Sequence, residues 1–245
     1  MLIPFIAALI GFASLQPAPL NLVLLFDGGS LSTPSRNRVS KADEALFKQQ
    51  ILPAAKRHWR GKSGGCDKDD SMNFQIVDAA RGPFTRPDAK QEAILYRYCS
   101  TGHNFALDGL AIVENGRVVT HFAYEGAWDI GIIALPDING NGLSEILIST
   151  GGTNMGETWE VVSIIEINGR TMKRYGSAQV LSDRCGVSAK DGGESYKLYA
   201  RMGKAPVFFH ETFRESCRRN AVRRKAGSLK QIALDGDTSV YQYIG

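Results

Sequence analysis

The chain has 245 residues, 43% of them hydrophobic and 22% charged, with a formal net charge of +4 at pH 7. A chain of this length and mix buries a sizeable apolar core, which excludes a disordered, collagen-like or polytopic membrane protein.

Residues 1–26 hold no charged side chain and read as a targeting segment, in which Gly11-Phe12-Ala13 places small residues at the −3 and −1 positions of a signal-cleavage site. A second apolar burst at 20–26 follows Pro17 and Pro19, so an N-terminal membrane anchor is the competing expectation. Either way the remainder is exported, whether periplasmic, cell-surface or secreted. Residues 27–40, rich in Gly, Ser and Pro, read as an exposed linker, and 41–245 as a single folded domain.

Ser40 followed by Asp43 and Glu44 is a helix-capping pattern. Ala42, Ala45, Leu46, Gln49, Ile51 and Leu52 follow near a 3.6-residue period that Pro53 interrupts before it resumes through 54–59. Gly61-Lys62-Ser63-Gly64-Gly65 spells G-x-S-x-G, but no apolar strand enters it and no amphipathic helix leaves it, so it lacks the setting of a nucleophile elbow. The same Gly-Lys-Ser has Lys56 where a phosphate-binding loop requires glycine.

Cys66, Cys99, Cys185 and Cys217 are even in number and contain no C-x-x-C, so metal-ligand spacing is absent. In an exported chain two disulfides are expected. Of the three possible connectivities, Cys66–Cys99 with Cys185–Cys217 closes the shortest loops.

From residue 72 onward the texture changes to short apolar runs punctuated by Gly, Asn and Asp, at 73–77, 93–98, 110–113, 118–123, 130–135, 146–149, 159–167 and 196–200. Asn115-Gly116 and Asn168-Gly169, each between two such runs, predict type I′ hairpins with φ > 0 at both residues of the pair. The two hairpins share Asn-Gly-Arg and a following aromatic, a faint repeat with a period near 50 that suits propeller blades. The predicted fold is therefore mainly β, with antiparallel sheets arranged as propeller-like blades or as a sandwich, and one N-terminal helix.

The strongest chemical signal is the run 135–148, Leu-Pro-Asp-Ile-Asn-Gly-Asn-Gly-Leu-Ser-Glu-Ile-Leu-Ile. Oxygen-bearing side chains at alternate positions, Asp137, Asn139 and Asn141, can converge on one hard cation. Gly142 permits the turn, the Leu143 carbonyl adds a donor and Glu145 closes the site. The spacing opens an EF-hand, but Ile148 stands where its closing carboxylate would be, and strand-like residues flank the loop. With Ile130-Gly131-Ile132 before it and Gly151-Gly152 after it, this segment resembles one FG-GAP or VCBS-type repeat of the kind found in integrin α chains. The resemblance covers about 23 residues in a single copy. It implies a weak, structural Ca²⁺ site between two strands in a secreted or surface-exposed protein, with Asn141 where that family usually carries Asp. A metal-free turn held by Asx hydrogen bonds is the alternative. Residues 82–93, leading to Leu95 and Cys99, are similar to exported bacterial proteins, and that likeness implies no activity.

His210-Glu211 begins like a zinc-protease helix and then has Arg214 in place of the second histidine, while His58, His103 and His121 share no spacing. Between residues 210 and 230 seven basic residues stand against two acidic ones. Arg218, Arg219, Arg223, Arg224 and Lys225, within a basic segment at 214–230, are candidate contacts for an anionic surface or glycan. No aromatic interleaving supports nucleic-acid stacking, and no nucleic-acid partner is expected.

These features together predict an exported calcium-binding β protein acting as a binding or interaction module. The alternative is an extracytoplasmic hydrolase with a site assembled from scattered carboxylates and histidines. A pocket gathering two or more carboxylates or histidines with displaced pKa values is the sign that favours the hydrolase.

Overall fold

A computed structural model describes residues 21–29, 39–62, 74–102, 105–126, 128–188, 192–217, 222–236 and 241–245. Ser40 caps the helical segment as expected. Its hydroxyl accepts from the Asp43 N–H at 3.2 Å, and the Asp43 carboxylate accepts the Ser40 N–H at 2.6 Å. This reciprocal pair satisfies two donors that the first turn would otherwise leave unpaired. Helix α1 (Lys41–Leu46) runs into a π turn (Phe47–Ile51) and then α2 (Leu52–Trp59). Pro53 has no N–H to return to the preceding turn and its ring crowds the carbonyl there, so the chain widens for one turn instead of breaking. The buried face, Leu46, Phe47, Ile51, Ala55 and Trp59, lies on one sheet against Ile94, Tyr96, Tyr98 and Ala111. Burying those helix side chains contributes on the order of 10 kcal/mol.

That sheet holds β2 (Gln75–Gly82), β3 (Gln91–Gly102), β4 (Phe105–Glu114), β5 (Arg117–Gly126) and β14 (Gln242–Tyr243), in the order β14-β5-β4-β3-β2. The second sheet runs β12-β11-β10-β9-β8-β7-β6, with β1 on β10 and β13 on β11. Its strands are β1 (Leu22–Asp27), β6 (Asp129–Ala134), β7 (Ile146–Asn154), β8 (Glu157–Asn168), β9 (Thr171–Asp183), β10 (Gly193–Arg201), β11 (Val207–Glu215), β12 (Arg224–Lys225) and β13 (Lys230–Ile232).

The facing surfaces of the two sheets form a sandwich core in which Leu95, Leu110, Ile112 and Phe122 meet Ile132, Ile146, Ile148, Ile165 and Ile167. The alternate residues of β7 and β8, Leu147, Val162 and Ile164, point to the other side. There they meet Leu25, Phe26, Leu198, Ala200 and Phe208, because β9 and β10 pair over only three positions and the second sheet folds back over itself. Burial on both faces explains why apolar residues stand side by side at 146–148, 161–162 and 164–165 instead of alternating with polar ones.

Three expectations change. The described strands form two sheets that face each other across one shared core, so of the two arrangements expected the sandwich is the one seen, and the repeat near 50 does not mark propeller blades. Asn115 (φ 50°) and Gly116 (φ 72°) form the expected turn, but β8 pairs Asn168 with Thr171, which makes Gly169 and Arg170 the turn residues, and only Gly169 (φ 59°) has positive φ. The apolar run at 20–26, assigned above to a leader or anchor, contributes β1, which pairs with β10 around a bulge at Leu25 and places Leu25 and Phe26 in the core. The folded part therefore begins before residue 41. Residues 1–20 and 30–38, which carry the rest of the leader and linker expectations, lie outside the described residues. Among the described residues no helix is long and apolar enough to cross a membrane.

Cys185 and Cys217 are bonded, tying the turn after β9 to the end of β11. Cys99 is also disulfide-bonded. The expected Cys66–Cys99 pairing involves Cys66, which lies outside the described residues, as does His103.

Candidate functional site

The loop 135–145 joins β6 to β7. Leu135 and Ile138 anchor it in the apolar layer behind β7 and β8. Three backbone hydrogen bonds fix its frame: Leu135 N–H to Glu145 O at 2.8 Å, Ser144 N–H to Pro83 O at 2.9 Å and Gly203 N–H to Ile138 O at 2.9 Å. The loop is thereby held by β6–β7 itself, by the β2–β3 connection and by the β10–β11 turn.

Its polar side chains wrap its own backbone. Asp137 accepts from Gly140 N–H at 2.7 Å and Asn141 N–H at 3.1 Å through Oδ1, and from Gly142 N–H at 2.6 Å through Oδ2. Asn139 Oδ1 accepts from Asn141 N–H at 3.0 Å, and Asn141 Oδ1 from Leu143 N–H at 2.9 Å. Gly140 (φ 79°) and Gly142 (φ 87°) supply the left-handed conformations the coil needs. The Asx turns of the metal-free alternative are thus present. They give every side-chain oxygen of these three residues a backbone N–H of the loop as partner.

Glu145 is fully buried beneath the loop. Its Oε2 accepts the Ile138 N–H at 2.9 Å and its Oε1 accepts from Asn139 Nδ2 at 2.8 Å. The antiparallel register that pairs Ile146 with Ile165 sets Glu145 opposite Glu166 of β8, which is 5% exposed. Like charges directly across a ladder destabilise a sheet. Burial, opposed by the Ile138 N–H and reinforced by Glu166 and Asp137, pushes the Glu145 carboxyl up to about 7.

Asn139 Nδ2 also contacts Glu166 Oε2 and, at 2.7 Å, the Tyr175 hydroxyl, and Asn141 Nδ2 donates to Glu166 Oε2 at 3.0 Å. Tyr175 reaches the site because the register of β9 skips it: Ile164 faces Gly176, Ile165 faces Arg174, and the extra residue is re-aimed. Its hydroxyl lies 3.3 Å from both glutamates and 3.0 Å from Lys173 Nζ. Neither Glu166 nor Tyr175 carries a signal in the sequence, because their approach depends on strand register and on a bulge.

Among the described residues no group of three or more His, Cys, Asp or Glu side chains converges as a metal cluster. The loop's own donors are all oxygen: carboxylates from Asp137 and Glu145, amide oxygens from Asn139 and Asn141, and the Leu143 carbonyl. That chemistry fits a hard cation of the calcium type and not zinc or copper.

A second cluster sits where the chain crosses between sheets. Arg97 donates from Nε to Asp108 Oδ1 at 3.2 Å and from its NH2 group to the Asp129 carbonyl at 2.9 Å. Tyr124 and Thr150 hydroxyls each donate to Asp129 at 2.5 Å, and Asp78 accepts the Ile132 N–H at 3.2 Å. Burial, with the Asp129 charge beside it, holds Asp108 well above the usual carboxylate range against the pull of Arg97. His121, fully buried against the Tyr96 hydroxyl at 2.7 Å, is pushed down to about 4 by burial and by His58, and sits in the core.

Two grooves flank the helix N-terminus. One, of about 620 Å³, is lined by Asp43, Arg81, Lys90 and Glu92, and the other, of about 560 Å³, by Ser40, Arg81, Glu92 and Ile133. The Asp43 and Glu92 carboxyls lie close enough to shift each other. Glu92 is raised by burial and by Asp43, while the Ser40 contacts and Glu92 hold Asp43 down against its own desolvation. Arg81 Nε reaches Glu92 Oε1 at 3.1 Å.

Three residues of the basic segment pair with the protein's own acids. Arg223 donates to Asp27 at 2.5 Å and to Ser195 Oγ at 2.7 Å, and lies 4.2 Å from the Phe213 ring centre, while Lys225 pairs with Glu211 and Arg214 with Glu194. Arg224 and Lys225 are in strand β12, and Arg218 and Arg219 lie outside the described residues. Arg223 and Lys225, two of the candidate anion contacts, are in these pairs joined to Asp27 of β1 and Glu211 of β11. No family profile, no curated protein and no solved structure matches this chain.

Proposed function

We propose that the protein is an exported, calcium-binding β sandwich that acts as a binding module. The observation that carries this reading is the 137–145 loop, a coil between two strands with five oxygen donors and a buried carboxylate at its base. The likeness to an FG-GAP or VCBS-type unit supports the same strand–loop–strand setting, and the disulfide supports an oxidising compartment. Calcium would supply the positive charge that the loop interior and the facing glutamates lack, and the chain's part is to hold the donors at fixed spacing. The melting temperature should rise in millimolar Ca²⁺, by an increment equivalent to about 1.4 kcal/mol when free metal is tenfold above its Kd. Asp137→Ala lowers the metal-free stability too, because three N–H groups lose their acceptor. The deciding quantity is therefore the calcium increment, which should vanish in that variant and persist in the wild type.

The groove at the helix N-terminus favours a second reading, a hydrolase in which Glu92 donates a proton while Asp43 accepts one from water. Wild-type turnover of ester, peptide or glycoside probes, lost in Glu92→Gln with melting temperature retained, is its expected signature. Absence of turnover in the wild type removes it.

A further inference from the structure

We propose that Glu166 of β8 is the positioning residue of the calcium loop, fixing the orientation of Asn139 and Asn141 and supplying from outside the loop the negative charge that Asn141 withholds. The inference rests on the calcium reading above. It begins from hydrogen-bond chemistry. A backbone N–H can only donate and an ionised carboxylate can only accept. Asn141 has the Leu143 N–H at 2.9 Å on one end of its carboxamide and Glu166 Oε2 at 3.0 Å on the other, so its oxygen must face the loop and its nitrogen must face Glu166. Asn139 is held the same way, with the Asn141 N–H at 3.0 Å on its oxygen and Glu145, Glu166 and Tyr175 around its nitrogen. Glu166 thus fixes which atom Asn141 presents to the loop and, together with Glu145, which atom Asn139 presents.

The arrangement also explains two oddities. A buried glutamate directly across the ladder from another buried glutamate costs stability with no ion pair between them in return. The exposed Lys173 forms no ion pair with either glutamate and reaches them through the Tyr175 hydroxyl, at 3.0 Å. A loop of this type with Asn at 141 carries one carboxylate fewer than the pattern it resembles, which weakens its hold on a divalent cation. Hydrogen-bonding the Asn141 amide to a carboxylate polarises its oxygen toward negative, and outer partners of this kind typically govern metal affinity 10- to 100-fold.

The test is a titration of the folded full chain with Ca²⁺, repeated with Tb³⁺ excited through Tyr175, on the wild type, Glu166→Gln, Glu166→Asp and the double variant Glu166→Gln/Asn141→Asp. The proposal expects Glu166→Gln to weaken binding at least about tenfold, Glu166→Asp to recover part of the loss, and the double variant to recover it by returning the charge inside the loop. A purely structural Glu166 would lower the metal-free melting temperature and leave the dissociation constant where it was, and that result overturns the proposal while calcium binding stands. No binding by the wild type overturns both.

Discussion

Asp108 is fully buried, with one carboxyl oxygen on Arg97 and the other without a hydrogen-bond partner. Its proton is held more tightly in the folded chain than in the unfolded one. Stability from this group is therefore fully present below the unfolded value near 3.8 and is lost as pH rises through the raised folded value. Within that window each pH unit costs about 1.4 kcal/mol. Asp108→Asn keeps an acceptor for Arg97 and removes the titration. Urea unfolding at pH 5 and pH 9 should show the wild type losing stability relative to the variant as pH rises, and a constant difference between the two would refute the assignment. Nothing in the sequence distinguishes Asp108 from a surface aspartate. The same holds for Glu166 and for the Asp43–Glu92 contact, since each acquires its character from a residue brought close only by strand pairing. Asp137, Asn139, Asn141 and Glu145 were legible because their relation is local: a fixed spacing within one turn of chain.

Turns show the same limit at the level of the element. The β7–β8 hairpin closes on Met155 (φ 49°) and Gly156 (φ 86°), both left-handed, yet Met is among the poorer residues for that conformation and its side chain is 91% exposed. Sequence reading overlooks this hairpin because its turn lacks Asn or Asp, and it misplaces the Asn168 turn by one residue because Asn-Gly also fits a strand end followed by Gly-Arg. Met155→Asn should raise stability by about 1 kcal/mol, the strain of one left-handed non-glycine residue, measured by chemical denaturation. Gly156→Ala should destabilise, because a Cβ there would stand 2.4 Å from the Gly186 carbonyl oxygen. The helix was readable from its cap and its period, whereas the π turn at Phe47–Ile51 was visible only as the irregularity that Pro53 imposes.

For the molecule as a whole, many short strands foretold antiparallel sheets, but neither the sheet partition nor the fold-back of β10 and β11 over β9 is encoded in periodicity. That fold-back depends on long-range closure. The Cys185–Cys217 bond spans 32 residues of it. Replacing both cysteines by serine should cost about 3–4 kcal/mol of stability in the chain-entropy description, seen as a lower denaturation midpoint with a somewhat steeper slope, because the chain without the cross-link unfolds to a more expanded state. An unaltered midpoint would mean that the apolar layer behind β7 and β8 closes the fold without it.

Among the described residues strand β1 pairs with β10 alone, across most of the chain's length, and that pairing seats Leu25 and Phe26 in the core. Contacts so distant along the chain are slow to form, because the loop between them must be closed before any stabilisation is gained. A polypeptide emerging N-terminus first therefore carries a short, sticky β segment with no mate until β10 has followed it. A chain cut short anywhere before Gly193 would keep that segment permanently unmatched, an exposed template for joining one truncated molecule to the next.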